Sequence, residues 1–407
     1  GITVSYGKTA TVEVKDDSET GSLNIQKKLD PEEPDAIKQN RNLTKIEFTL
    51  SYQDNDKVED IVVNPDANGY VHVDGLYFGT WLLEETNAPR YHEPMQPQLI
   101  VVSKDDTETI EFEVENYRYK SQLIVLKKDL DTNTTVRRAG ATFKIKDEVG
   151  EYVSLAVDAT GQKEDTFVTN EKGRIDFYEK VPAGKYTLIE TVPPSGYKLA
   201  DPIAFEVSGK ETDVTIEMHD KRVTTGISIE KKDTVSGNSA GAGFTFNVIA
   251  DENITDAAGT TYKGFEAGAV VDTLTTGEDG TAKSNVALYP GRYHIEETGV
   301  AANYNKDAEN AAFEVVEKQT DDGWTAEVKD FDNGLISVKD TPVMRPIQIT
   351  KTDADSQNAA GADFTFTITA DKVVDGTGNE YEGFEHGTVV DTITTDGRGI
   401  ATSKDLY

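Results

Sequence analysis

A lysine follows an Asn or Asp by 11 residues at four places in this chain: Asp16 to Lys27, Asn116 to Lys127, Asp220 to Lys231 and Asp340 to Lys351. Each lysine ends a short alternating apolar run: Leu23-x-Ile25-x-Lys27, Leu123-x-Val125-x-Lys127, Ile227-x-Ile229-x-Lys231 and Ile347-x-Ile349-x-Lys351. Each Asn or Asp closes another such run, as in Phe112-x-Val114-x-Asn116 and Ile216-x-Met218-x-Asp220. Strand side chains alternate between faces, so both kinds of polar residue are expected to point inward with their apolar neighbours. Burial disfavours the charged form of an amine, which would make Lys27, Lys127 and Lys231 neutral nucleophiles. A third group recurs between them. The pattern Gly-x-aromatic-x-x-x-Glu-Thr occurs at Gly79 to Thr86, Gly184 to Thr191 and Gly291 to Thr298. The same parity turns Glu85, Glu190 and Glu297 inward, and a carboxyl kept protonated by burial can donate a hydrogen bond and relay a proton.

The elements that must position these residues read as strands. Short runs rich in Val, Ile, Thr, Tyr and Phe are separated by turns such as Asn68-Gly69 and Glu278-Asp279-Gly280. Helical periodicity is weak, and the pattern predicts an all-β chain of antiparallel sandwiches of roughly 100 residues each. The order Lys, Glu, Asn or Asp repeats, and it divides the chain into five segments. Residues 1–19 are expected to be the last strand of an earlier repeat, with Asp16 unpaired. Residues 20–119, 120–222 and 223–342 are complete repeats. Residues 343–407 are the start of another, with Lys351 unpaired. The third repeat carries an insert near 251–266, and a similar segment runs from Asp371 to Glu385.

Composition narrows the function classes. The net charge of −33 argues against nucleic-acid binding and favours a soluble surface. The absence of cysteine excludes disulfides, thiolate metal sites and cysteine nucleophiles. No apolar run is long enough to span a membrane and no signal-peptide pattern is recognised, as expected for inner repeats of an exported chain. His72, His92, His219, His294 and His386 lack metal-ligand spacing. The acidic loops at Asp353-x-Asp355 and Asp371 to Glu380 read as solvated turns more readily than as calcium sites. No cofactor or metal is expected.

Gly140-Ala141-x-Phe143, Gly241-Ala242-x-Phe244 and Gly361-Ala362-x-Phe364 follow the lysine runs, and Glu190-Thr191 leads into Pro193-Pro194-x-Gly196-Tyr197. With these motifs in this order, the chain resembles the Cna-B-type, or SpaA-like prealbumin-fold, domains of Gram-positive surface adhesins and pilins. Two departures are Lys45-Ile46-Glu47-Phe48 in place of Gly-Ala-x-Phe, and Gly299 to Tyr304 without proline. The resemblance implies Ig-like or prealbumin-like sandwiches in an elongated array. It also implies an intramolecular isopeptide bond in each complete repeat: Lys27 to Asn116, Lys127 to Asp220 and Lys231 to Asp340, with Glu85, Glu190 and Glu297 as catalytic groups. Strand parity selects the first lysine of Lys27-Lys28, Lys127-Lys128 and Lys231-Lys232, and rejects Glu84 and Glu296. Asp330 competes with Asp340 as an acceptor, and the constant spacing favours Asp340. A buried ion pair is the ordinary explanation for one such cluster, and three in the same order and parity weigh against it.

The function expected from this reading is a stalk or spacer of a cell-wall-attached adhesin or pilin-like protein, extracellular, on a Gram-positive bacterium. It would be no enzyme beyond a single self-cross-linking turnover. Its partners would be neighbouring repeats of the same chain. The alternative is a ligand-binding adhesin module whose inserts contact a host extracellular protein or glycan.

Overall fold

The computed structural model describes residues 5–9, 11–14, 19–104 and 108–407. Asp16 lies outside the described residues. None of the described residues before Glu19 forms a strand.

Among the described residues the regular structure is almost wholly β, with one helical turn at Asp35–Lys38 and short 3-10 turns at Leu43–Lys45 and Asp332–Gly334. Each lysine run lies in a first strand: Thr20–Leu29, Lys120–Asp129 and Ser228–Asp233. Each acceptor lies at the end of a closing strand: Ile110–Asn116, Asp213–Asp220 and Leu335–Asp340. The first and closing strands of each repeat are hydrogen-bonded neighbours and run parallel. That pairing requires the rest of the repeat to serve as the crossover between them. The glutamates sit on strands Gly79–Asn87, Gly184–Val192 and Gly291–Gly299, which belong to the facing sheet.

Each repeat is therefore a two-sheet sandwich with the lysine and closing strands on one layer and the glutamate strand on the other. Alternation builds the core. In the first repeat Leu23, Ile25, Phe48, Leu50, Trp81 and Leu83 are buried between the layers. Leu123, Val125, Phe143, Ile145 and Leu188 do the same in the second, and Ile229, Phe246, Val248 and Ile295 in the third. Residues 343–407 form two two-stranded sheets around a small cluster of Ala370, Val390 and Leu406.

Lys351, expected to be unpaired, faces the Phe364 ring at 5.4 Å but is not enclosed by a core. It is half-buried just beyond the strand Arg345–Thr350, and Ile347 and Phe364 beside it are exposed. The physical reason is pairing: that strand's only described partner is Ile400–Leu406, so no closing strand lies on its other side to cover it.

Candidate functional site

Register brings the site together. Along the parallel pairs, Asn116 lies opposite Leu29, Asp220 opposite Asp129 and Asp340 opposite Asp233. Each acceptor is thus offset by two residues from the lysine, on the same face, where a long lysine side chain reaches it diagonally. The neighbouring Lys28 and Lys128 instead point outward and pair with Glu113 and Glu217 of the closing strands.

In the second repeat Lys127, Glu190 and Asp220 are all buried. The Lys127 Nζ lies 2.8 Å from Glu190 Oε1 and is also hydrogen-bonded to Asp220 Oδ1. The backbone N–H of Ala200 donates to Glu190 Oε2 at 2.9 Å. In the third repeat the Lys231 Nζ lies 2.8 Å from Glu297 Oε1 and 2.9 Å from Asp340 Oδ2. There the backbone N–H groups of Asp307 and Ala308 donate to Asp340 Oδ1. In the first repeat the Lys27 Nζ lies 3.5 Å from Glu85 Oε1, while the Asn116 amide donates to Glu85 Oε2 at 2.7 Å. Met95 N–H donates to the same Glu85 oxygen. Asp330, the competing acceptor, is exposed.

The surroundings are buried and aromatic. Lys127 Nζ stands 5.5 Å from the centre of the Phe143 ring, and Lys231 Nζ 5.0 Å from that of Phe244. The phenylalanine of the Gly-Ala-x-Phe motif thus floors the amine. Burial lowers the Lys27 amine to a pKa of about 8, against the pull of Glu85. Burial raises the Asp220 carboxyl to about 7, although Lys127 opposes the shift. Glu190 and Glu297 are raised for the same reason, again opposed by their lysines. Such a site can place a neutral amine against a carboxyl or carboxamide carbon, with a protonated acid beside both.

Several buried polar residues escaped sequence reasoning. Asp129 and Asp233, two residues after Lys127 and Lys231, are fully buried. Each accepts a phenol hydrogen bond from its own repeat, Tyr197 to Asp129 at 3.0 Å and Tyr304 to Asp233 at 2.9 Å. The signal was present as an Asp at a fixed offset from the lysine, with Leu29 in its place in the first repeat. Among the described residues no group of His, Cys, Asp and Glu is arranged to hold a metal ion, and no helix is long and apolar enough to cross a membrane.

Fold and site together define a class: tandem β-sandwiches whose first and last strands lie side by side with an amine, an acid and an acceptor buried between the sheets. The chain belongs to the family described as SpaA prealbumin-like fold domain, whose profile matches residues 35–118, 121–222 and 225–330. Among solved structures, the chain is similar to the Bacillus anthracis TIE protein at 25% identity, over 80% of this chain and 51% of that one, with a TM-score of 0.43. The chain therefore spans about half the length of that relative. The major pilin subunit BcpA of Bacillus cereus matches at 16% identity over 80% of this chain and 99% of that one, with a TM-score of 0.30. A streptococcal ancillary pilin matches at 16% identity over 80% of this chain and 100% of that one, with a TM-score of 0.25. No curated protein matches the chain.

Proposed function

We propose that the chain is the repeat region of a cell-wall-attached adhesin or pilin-like surface protein of a Gram-positive bacterium. It acts as a stalk, and each complete repeat is locked by an intramolecular isopeptide bond. The observation that supports this best is the threefold recurrence of one buried Lys, Glu and Asn or Asp set across first, facing and closing strands. A single buried ion pair needs no such repetition.

In the reaction the Lys127 amine attacks Cγ of the protonated Asp220 carboxyl, forming a C–N bond. A C–O bond then breaks, and the oxygen leaves as water with a proton passed from the amine through Glu190. Lys231, Glu297 and Asp340 follow the same course. At Asn116 the carboxamide C–N bond breaks instead, and ammonia leaves with a proton relayed by Glu85. The fold supplies the proximity that makes amide formation feasible.

The bond would join two adjacent parallel strands, so tension entering one terminus of a repeat passes to the other without loading the residues between. That property suits a projecting stalk. The test is the intact mass of the chain in denaturant beside a Glu190→Ala variant. The expected wild-type deficit is one ammonia and two waters, with one water restored in the variant. An unmodified wild-type mass would reduce the three sets to buried polar clusters.

A further inference from the structure

The inserts at 251–266 and 371–385 do not project into solvent as free loops. The Tyr262 hydroxyl donates to Asp129 Oδ2 of the preceding repeat at 2.7 Å, and Tyr381 donates to Asp233 Oδ2 of the repeat before it. The exchange is reciprocal. Asp256 of the insert holds its own turn through Oδ1, accepting from Ala258 N–H and Thr260 N–H, and turns Oδ2 across the joint to the hydroxyls of Thr132 and Thr134. Asp375 holds Thr377 N–H and Asn379 N–H in the same way, and its Oδ2 accepts from Asn238 Nδ2 at 2.8 Å.

The sockets are matched as closely as the inserts. Asp129 Oδ1 accepts from Asp131 and Thr132 N–H, and Asp233 Oδ1 from Val235 and Ser236 N–H. In both cases one carboxylate oxygen shapes the turn after the lysine strand, and the other receives two phenols. Aromatic stacking backs each insert tyrosine, with ring centres 3.8 Å apart for Tyr262 on Tyr289 and 4.4 Å for Tyr381 on Tyr407. Burial, and then the Asp129 carboxylate, hold the Tyr262 phenol protonated as a donor. At the second joint the backbones nearly touch: a Cβ on Gly376 would lie 2.2 Å from the Ala240 carbonyl carbon. The joint between the first and second repeats is bridged differently, by Arg41 to Glu148 and Arg90 to Glu206 at 2.8 Å each. The first repeat has Leu29 where the others have Asp, and the second repeat, which follows it, has no insert.

We propose that each insert is a coupling device whose partner is the socket aspartate and turn of the preceding repeat, so that repeats bearing an insert are held at one fixed angle to the repeat before them. This goes beyond the spacer reading and does not depend on whether the cross-links form. It also assigns the inserts to the chain itself rather than to an outside ligand.

The absence of cysteine makes the joint directly measurable. Nitroxide labels are placed at the exposed positions Gln162→Cys and Glu278→Cys, and their separation is read by pulsed electron spin resonance. The wild-type chain is expected to give one narrow distance. Tyr262→Phe, which keeps the stacked ring and loses only the hydroxyl, and Asp129→Asn are each expected to turn it into a broad distribution. Circular dichroism should remain that of the folded chain. Gly376→Val is expected to broaden a second pair, Glu278→Cys with Glu382→Cys, while leaving the first pair narrow. A broad wild-type distribution, or variants as narrow as the wild type, would overturn the proposal. The intact mass reports the cross-links separately, so the two readings fail independently.

Discussion

The acceptor residue sets the pH response of its own site. Attack in the first repeat needs the free Lys27 amine, whose share rises as pH climbs through about 8, and Asn116 has no proton to lose. Cross-linking of that repeat, followed by peptide mass spectrometry as unlinked chain refolds from denaturant, is therefore expected to speed up with pH to that point and then level. In the second repeat Asp220 must be protonated to release water, and its acid form is lost as pH rises through about 7. Bond formation there is expected to slow above neutrality. Asp220→Asn removes the need for that proton and should weaken the alkaline decline, leaving the part set by the Glu190 acid, which burial also raises. The linked product is then chemically the same as in the wild type, so the two linked chains are expected to have identical mass. A variant that stays unlinked would count against Asp220 as the acceptor.

At the scale of elements, the decisive feature is a parallel pair made of the first and last strands of a repeat. Closing a loop of 93 residues between Lys127 and Asp220 should, by analogy with a disulfide, destabilise the unfolded chain by about 4–5 kcal/mol. Glu190→Gln keeps the side chain's size but cannot relay the proton. It is expected to leave the second repeat open and lower its urea stability by about that amount. Strand parity was enough to read these positions in the sequence, because inward residues repeat every second position and the apolar runs around Lys127 and Asp220 are unbroken. The inward orientation of Glu190 was legible for the same reason, whereas its place on the facing sheet was not. The joints were not legible. Tyr262 and Asp129 are 133 residues apart in the chain, and a buried tyrosine in a polar loop has no periodic pattern to announce it. At Lys351 parity gives the direction of the side chain, which faces the Phe364 ring, but not how far a neighbouring strand covers it.

For the whole molecule, the covalent path and the polypeptide path would no longer coincide. A protease site engineered into the exposed turn at 159–162 lies between Lys127 and Asp220. After cleavage the wild-type chain is expected to run as one species in a denaturing gel, while the cleaved Glu190→Gln chain separates into two. Two wild-type bands would mean that the second repeat is unlinked.

The socket-and-insert contacts occupy a particular place on this path. With the bonds formed, load leaves one sandwich at Asp220 and enters the next at Lys231, and the 11-residue spacing between them is the only stretch left in series. Tyr262 on Asp129, and Glu317 between Arg138 and Arg222, bridge that stretch in parallel with the backbone. They are non-covalent, so with the bonds formed they are expected to yield before any sandwich does and to re-form when the pull stops. The array would then behave as rigid links joined by self-resetting catches, giving a little at each joint and absorbing a sudden tug without unfolding a domain.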